Sequence, residues 1–422
     1  MKEKLRVKCR VFDILSVVKE NVYLKCVNCG AIYPPNPKTY KCAKCNGLLS
    51  VEYDFLKTEI SWEDFKGKGV WRYKQLLPLS ETLLNYVITL GEGSTPLISV
   101  ENVFGSKSFY VKFEGANPTG SFKDRGMTVA VTLAKLIGST SVIVASTGNT
   151  AASVSAYAPR AKMKSIIVLP KGKVALGKLA QAILHGAEIF EIKGNFDDAL
   201  EVVKKVVEKE TKIYPLNSFN PWRLEGQKTI AFEIAEEINT PDWIIVPVGN
   251  AGNISAIWKG FRELYRLKLI NKLPKMVGVQ SEGASPLAKA FELGLSKPVF
   301  TDKPETIATA IRIGKPVNWP KAMAAVRESK GLFVKVSDRE IFEAMVKLGS
   351  LEGIDSEPAG AASVAGCLKL LKQGIIKRSD NVVCIVTGHA LKDPEILLRI
   401  QAKRTIMLKN QTIEIILKTT SH

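Results

Sequence analysis

From about Val87 onward the apolar positions alternate between two patterns. Short β-branched runs, Ser141-Val-Ile-Val-Ala145, Ser165-Ile-Ile-Val-Leu169, Asp242-Trp-Ile-Ile-Val246 and Asn381-Val-Val-Cys-Ile-Val386, read as strands buried on both faces. Glu188-Ile-Phe-Glu-Ile192 reads as a further strand. Between these runs the period becomes helical. Leu176, Leu179, Ala180, Ile183 and Leu184 mark one helical face that stops at Gly186; Phe196, Ala199, Leu200, Val203 and Val207 mark another. An alanine-rich helix is expected after Ser146-Thr-Gly-Asn-Thr150. Such alternation predicts an α/β fold with a parallel sheet covered on both faces. Ligands then collect at the carboxyl ends of strands, beside helix N-termini. No internal repeat of fixed period interrupts the pattern.

Residues 1–52 lie outside it, in a unit with little room for a core of its own. Cys26-Val-Asn-Cys29 and Cys42-Ala-Lys-Cys45 are separated by twelve residues. That spacing turns four thiolates toward one tetrahedral centre and suits a structural zinc, in a zinc-ribbon-like unit. Gly30 and Gly47 follow the knuckles, where positive φ is expected. The plainer alternative is two disulfides, which a reducing cytosol would not keep. Cys9, Cys367 and Cys384 sit among apolar residues and read as core packing. A connecting arm with Trp62, Trp71-Arg-Tyr73 and Leu76-Leu-Pro-Leu79 follows the cysteine unit. The last residues, Arg399–His422, are basic and β-leaning around Ile413, Ile415 and Ile416, an edge strand or a tail.

Composition changes this picture little. A chain of 422 residues, 46% hydrophobic and 24% charged, suits two or three globular units. No apolar run approaches the ~20 residues that span a bilayer, and no apolar leader follows the charged start at Met1. A cytoplasmic protein without membrane contact is therefore expected. Net charge is +19, from 60 Lys+Arg against 41 Asp+Glu, which favours anionic partners. The basic residues are spread out, however, with no compact basic arm of the kind that grips nucleic acid. A zinc-ribbon nucleic-acid protein would account for the cysteines and the charge, but not for the strand-end motifs.

The first of these is Asn117-Pro-Thr-Gly-Ser-Phe-Lys-Asp-Arg-Gly126. Asn-Pro and Gly120 mark a turn, after which Ser121 is expected to cap a helix with Lys123 in its first turn. The helix dipole disfavours the ammonium there and helps supply neutral amine for a Schiff base. The second is Ser146-Thr-Gly-Asn-Thr150, whose small side chains and free N–H groups suit a carboxylate or phosphate. A plain N-cap role for Asn149 is the alternative. The third, Gly249-Asn-Ala-Gly-Asn253, follows an apolar strand and can turn backbone N–H groups toward a phosphate. It fits neither Gly-x-Gly-x-x-Gly nor the P-loop, which argues against nicotinamide nucleotides and ATP. A lysine, an Asn-bearing cradle and a phosphate loop together suggest pyridoxal phosphate, with its aldehyde, ring hydroxyl and phosphate each met. Thr387, at the end of the Asn381 strand, offers a hydroxyl for the ring nitrogen.

At this point the chain resembles the threonine synthases, pyridoxal-phosphate enzymes of the tryptophan-synthase-β structural class. The resemblance is carried by the cysteine pairs and Gly47–Asp54, by Leu90–Leu97, and by Glu114–Met127. It continues through Asn217–Gln227, Thr306–Gly314, Ser356–Ser363 and Thr387–Pro394. It implies a two-subdomain parallel-sheet fold, fold type II, over 53–398, with a smaller mobile subdomain at approximately 115–190. It also implies that Lys123 carries the cofactor as a Schiff base and moves substrate protons. Asn149 would bond the ring hydroxyl, Gly249, Asn250, Ala251, Gly252 and Asn253 the phosphate, and Thr387 the ring nitrogen. Ser146, Thr147 and Thr150 would take the substrate carboxylate, and Ser218 and Arg223 the leaving phosphate. Without the resemblance, Arg223 would read as the salt-bridge partner of Glu225 or of a neighbour. The reaction implied is O-phospho-L-homoserine and water to L-threonine and phosphate, by γ-elimination and β-addition, in a homodimer. Cysteate synthesis from O-phosphoserine and sulfite, and an ammonia-lyase acting on threonine or serine, are the rivals within the class. One departure is Ala390, where the family has Gly; a positive φ there would strain the loop. His389 reads as structural rather than as a proton shuttle.

Overall fold

The computed structural model describes residues 12–399 other than 57 and 173–175. Cys9 and the C-terminal segment expected as edge strand or tail lie outside the described residues, except for Arg399.

Strands β1 (Val22–Cys26), β2 (Ile32–Tyr33) and β3 (Leu49–Tyr53) form an antiparallel sheet in the order β2-β1-β3. Alternation buries Val22 and Leu24 on β1 with Leu49, Val51 and Tyr53 on β3. This unit builds no separate core. Its apolar face continues into Met127, Leu133, Tyr214 and Trp222 of the catalytic body. The backbone is left-handed at Gly30, as expected, but after the second knuckle the positive φ falls on Asn46 rather than Gly47. Asn tolerates that region better than most side-chain-bearing residues.

The body continues with β4 (Leu97–Ser99), β5 (Phe109–Phe113), β6 (Ser141–Ala145), β7 (Lys164–Pro170), β8 (Glu188–Ile192) and β9 (Ile213–Pro215). β10 (Trp243–Pro247), β11 (Lys275–Ser281), β12 (Leu332–Val336) and β13 (Val382–Val386) complete it. They make a smaller parallel sheet, β8-β7-β6-β9, and a larger one, β12-β11-β10-β13-β5-β4. β6, β10 and β13 are buried at every residue, as their unbroken apolar runs require.

The larger sheet departs from the expected all-parallel pattern at its edge, where β4 runs antiparallel to β5. The connection between them is shorter than the dozen or so residues that a parallel crossover needs. β4, β5, β11 and β12 escape a search for apolar runs for physical reasons: β4 is short and half-exposed, Lys112 and Lys335 interrupt β5 and β12, and Gly278 interrupts β11.

Helices form where the periodicity places them, at Leu176–Leu184 and Phe196–Lys209. In the first, the buried side is Leu179 and Ala182, while Ala180, Ile183 and Leu184 face outward. It packs chiefly on the Asn149–Arg160 helix, and one neighbour covers only a narrow stripe.

Behind the sheet ends lies a buried ionic cluster. Arg125, two residues past Lys123, donates to Glu114 at 2.7 and 2.8 Å and to Glu233 at 2.7 and 2.7 Å. Lys112 on β5 adds a 2.9 Å ion pair to Glu233. Burial alone would raise the Glu233 carboxyl, but Arg125 and Lys112 outweigh it and hold it down to about 2. The cluster joins β5, the turn after it, the Lys123–Leu136 helix and the Thr229–Ile238 helix. Removing one charge leaves the others buried without compensation, so Glu233→Gln is expected to cost about 3–5 kcal/mol, read as a lowered urea midpoint. An unchanged midpoint would mean that the cluster does not hold these elements together.

Candidate active site

The carboxyl ends of β6, β10 and β13 deliver three of the expected segments, and backbone bonds stitch a fourth to them. Phe122 N donates to Thr387 O at 3.1 Å and His389 N to Gly120 O at 2.9 Å, with a bridge between Ser121 and Gly388. Lys123 is thereby fixed beside Thr387 as the first residue of the Lys123–Leu136 helix. Ser121 does not cap that helix: its buried Oγ has no partner, and the first turn is closed by backbone. Asp124 accepts from Thr119 N and Oγ1, both at 2.7 Å, and from Ser153 Oγ. That joins the Lys123 turn to the Asn149–Arg160 helix. Burial raises the Asp124 carboxyl to about 6, against those donors.

Lys123 is the titrating centre of the site. Burial and then the Arg223 charge lower its ammonium to about 7, with Glu357 opposing them. Arg223 lies on the Trp222–Gln227 helix, buried. Its Nη1 donates to Leu216 O at 2.8 Å and its Nε has no partner. Glu225 is not its counter-ion: that carboxylate pairs with Lys228, Lys259 and the Tyr53 hydroxyl from the cysteine unit. Arg223 makes no ion pair among the described residues, and burial pulls its guanidinium down to about 10.

Asn149 opens its helix, but its side chain makes no capping bond. Its Nδ2 donates to Glu357 at 2.9 and 3.2 Å, and Thr387 Oγ1 donates to the same carboxylate at 2.9 Å. Glu357 is a residue that sequence reasoning passed over. It lies inside the Ser356–Ser363 stretch, where an acid ahead of Pro358 reads as a helix-start residue and nothing more. Burial raises its carboxyl, while Asn149, Thr387, Lys392 and Lys123 act against that.

In the Gly249–Asn253 turn the left-handed residue is Ala251, φ 64°, not a glycine. Gly249 matters for space, since a Cβ would stand 3.0 Å from Ile311 Cα and 3.1 Å from Ala310 O. The Asn250 side chain accepts from Val317 N at 3.3 Å and its carbonyl from Asn318 N at 3.0 Å. Both polar atoms of the Asn253 side chain are buried without partners, as are Asn318 Oδ1 and Gln227 Oε1. Unmet buried polar groups are costly; of these four atoms Asn253 Nδ2 is the donor, and it fits a bound phosphate oxygen, whereas the three amide oxygens are acceptors and do not.

Asn217 pairs both ends of its amide with the Ala145 backbone, at 3.0 and 3.0 Å, and so brings Ser218 to the β6 end. Ser146, Thr147 and Thr150 surround the start of the Asn149 helix, half-buried; Ser146 Oγ accepts from Gly148 N at 3.4 Å. A cavity of about 420 Å³ opens beside them, lined by Asn117, Thr119, Asn149, Gln181, His389 and Lys392. Lys392 crosses it, bonding Thr119 O at 3.0 Å and Gln181. His389 Nδ1 accepts from Leu391 N at 3.2 Å. Ala390 has no positive φ, so its methyl brings no strain.

Fifty residues and more from this site in sequence, Cys26, Cys29, Cys42 and Cys45 place their sulfurs within 4.8 Å of one another. Cys26 to Cys45 is 3.5 Å and Cys29 to Cys42 is 3.6 Å. These are far too long for disulfides and near the roughly 3.8 Å edge of a tetrahedron with 2.3 Å zinc–sulfur bonds.

The family model described as pyridoxal-phosphate dependent enzyme matches residues 88–388. A threonine synthase of Methanosarcina acetivorans is 50% identical over 395 residues, covering 92% of this chain and 96% of that one. A threonine synthase of Methanocaldococcus jannaschii is 53% identical over 384 residues, covering 89% and 94%. The solved threonine synthase of Escherichia coli superposes with a TM-score of 0.70 over 92% of this chain and 93% of its own, at 20% identity, a likeness of fold.

The Lys123 amine is expected to react with an acylating reagent in the cofactor-free protein with a half-point near pH 7, followed by peptide mass spectrometry. Arg223→Gln removes a neighbouring cation and moves that half-point up. A half-point near the ordinary lysine value, unmoved by the substitution, would contradict the electrostatics described.

Proposed function

The chain belongs to the pyridoxal-phosphate-dependent enzymes and, within them, to the threonine synthases, and from this premise we propose that it converts O-phospho-L-homoserine and water to L-threonine and phosphate. It is a lyase of threonine biosynthesis. The observation that carries the phosphorylated substrate is Arg223: a buried guanidinium without a carboxylate, its Nε unmet, beside Lys123. A buried cation of this kind needs an anion, and the planar guanidinium suits phosphate.

Pyridoxal phosphate, when bound, supplies the aldehyde that takes up the substrate amine and an electron-poor ring that stabilises negative charge at Cα. The residues that fit it are Lys123 for the aldehyde, Asn149 and Thr387 for the ring edge, and Gly249–Asn253 for the phosphate. Lys123 Nζ, with its proton held weakly, takes the α proton and returns protons along the Cα–Cβ–Cγ chain. Arg223 and Ser218 hold the γ-phosphate as its C–O bond breaks. Ser146, Thr147 and Thr150 hold the carboxylate at the start of the Asn149 helix, which fixes the direction from which water reaches Cβ.

We further assign the four cysteines to one structural zinc, supported by their sulfur spacing. No helix among the described residues is long and apolar enough to cross a membrane. A homodimer in the cytoplasm, without a nucleic-acid partner, completes the proposal. Cys26, Cys29, Cys42, Cys45, Cys367 and Cys384 stand outside any disulfide, which suits a reducing compartment.

Holoenzyme given O-phosphohomoserine is expected to release threonine and phosphate in equal amounts. Cysteate from O-phosphoserine and sulfite, or 2-oxobutanoate, as the main product would overturn the assignment. Arg223→Gln is expected to lower kcat/KM for the phosphorylated substrate roughly ten- to a hundredfold. For the metal, elemental analysis is expected to give one zinc per chain, and chelation to lower the thermal midpoint. A metal-free chain of undiminished stability would contradict that site.

A further inference from the structure

The segment that carries Ser218 and Arg223 is gripped from two sides. On one side the Trp222–Gln227 helix lies against the Lys123–Leu136 helix with no room for a side chain between them. A Cβ on Gly226 would stand 1.6 Å from Arg125 O, and one on Gly126 2.7 Å from Arg223 O. On the other side stands the cysteine unit. The ring of Tyr40, just ahead of Cys42, meets the Phe219 ring edge-on with centroids 6.0 Å apart, and the Tyr214 ring in the same way at 5.8 Å. Tyr214 Oη returns the tie by donating to Pro37 O at 3.2 Å. Further along the segment, Tyr53 Oη donates to Glu225 Oε2 at 2.7 Å, and the Lys228 and Lys259 ammonium groups lie 4.1 and 4.9 Å from the centre of the Tyr53 ring.

Phe219 follows Ser218 directly, and Glu225 lies two residues past Arg223. The two tyrosines therefore touch the neighbours of both residues assigned to the leaving phosphate. Each tyrosine is in turn fixed by a cysteine pair. Lys41 bridges to Leu48 across the second knuckle, where Cys42 N donates to Gly47 O at 2.9 Å; Tyr53 ends the strand whose first residue, Leu49, is in register with Cys26. We propose that Tyr40 and Tyr53 are positioning residues for the phosphate subsite, the back wall through which the cysteine unit keeps Ser218 and Arg223 in register with Lys123. This rests on the phosphate roles given above to Ser218 and Arg223.

The two contacts do different jobs. Edge-to-face rings meet at a preferred distance and angle, so the Tyr40–Phe219 pair sets where the chain stands at Ser218. Asn217 holds the same place from the β6 end, and Asn318 Nδ2 from the phosphate turn, donating to Ser218 O at 2.9 Å. Tyr53 gives the buried Glu225 carboxylate a partner beyond its two lysines. The Trp222–Gln227 helix has six residues, too few to be stable alone, so its direction depends on such ties. A guanidinium holds phosphate through two parallel N–H bonds, and a small turn of its helix weakens both. Lys123 and the start of the Asn149 helix are held by other contacts, those of Arg125 and Asp124, and stay where they are.

The test uses holoenzyme, so that the cofactor already fills its own phosphate site, and two ligands that divide the substrate between them. Inorganic phosphate is read as an inhibition constant against O-phosphohomoserine. L-threonine, which has the amine and carboxylate but no phosphate, is read as a dissociation constant from the cofactor absorbance. Tyr53→Phe keeps the ring beneath the lysines, and Tyr40→Leu keeps apolar bulk. Each is expected to raise the phosphate constant roughly tenfold and to move the threonine constant by less than about twofold. Equal changes in both constants, or a phosphate constant unmoved in Tyr53→Phe, would overturn the proposal; a brace of the fold alone would lower the thermal midpoint without that selectivity. Tyr53→Phe decides by itself if Tyr40→Leu does not fold. No turnover of O-phosphohomoserine by wild type, or a phosphate constant unmoved by Arg223→Gln, would overturn the reading beneath instead, so the two failures are told apart.

Discussion

Two cationic side chains share one buried pocket, and the carboxylate that acts on Lys123, Glu357, is already engaged by Asn149 and Thr387. This imbalance governs the site. Ordinarily a buried lysine and arginine would each recruit an acid, because an unpaired charge out of water costs several kcal/mol. Here the lysine responds by holding its proton weakly, near neutrality, and the arginine stays charged with Nε unmet. Neutral amine and unpaired guanidinium are the two things that a reaction on a phosphorylated amino acid needs: a base at Cα and a counter-ion at the phosphate.

Such a pocket persists only if the surroundings prevent relaxation, and two ionic clusters do this. The first, around Arg125, holds the helix that begins at Lys123, so the lysine cannot swing out to solvent without disturbing Glu114, Glu233 and Lys112. The second occupies Glu225, the acid that could have neutralised Arg223. Lys228 and Lys259 pair with it, Tyr53 donates to it at 2.7 Å, and the Lys228 ammonium lies 4.1 Å from the centre of the Tyr53 ring. Tyr53 ends β3, so the cysteine unit has a structural share in keeping Arg223 unpaired. Lys321 adds a second tie between the two parts, donating to Leu49 O at 2.8 Å.

How much of this the sequence discloses depends on range. Strands buried on both faces announce themselves, since β6, β10 and β13 are unbroken apolar runs, and the segments at their ends follow at once. The cysteine quartet is equally plain, because its geometry is set by two short turns. Less visible is whatever depends on partners far along the chain. Glu225 stands two residues from Arg223 and looks like its mate; only the fold brings Lys228, Lys259 and Tyr53 to it first. Ser121 has the composition of a helix cap, yet the bridge to Gly388 takes its backbone elsewhere and leaves the hydroxyl alone. Glu357 is the sharpest case, an acid before a proline whose role emerges only when β13 and the Asn149 helix meet at its carboxylate.

The central claim is that Lys123 is the amine to which the cofactor is joined, in a pocket that loosens its proton to near neutrality. Reduction of native holoenzyme with borohydride, followed by proteolysis and peptide mapping, tests it most directly. A single pyridoxyl group on the peptide bearing Lys123 is the expected result. The same group on another lysine, or bound cofactor that reduction leaves unattached to the chain, would contradict the account.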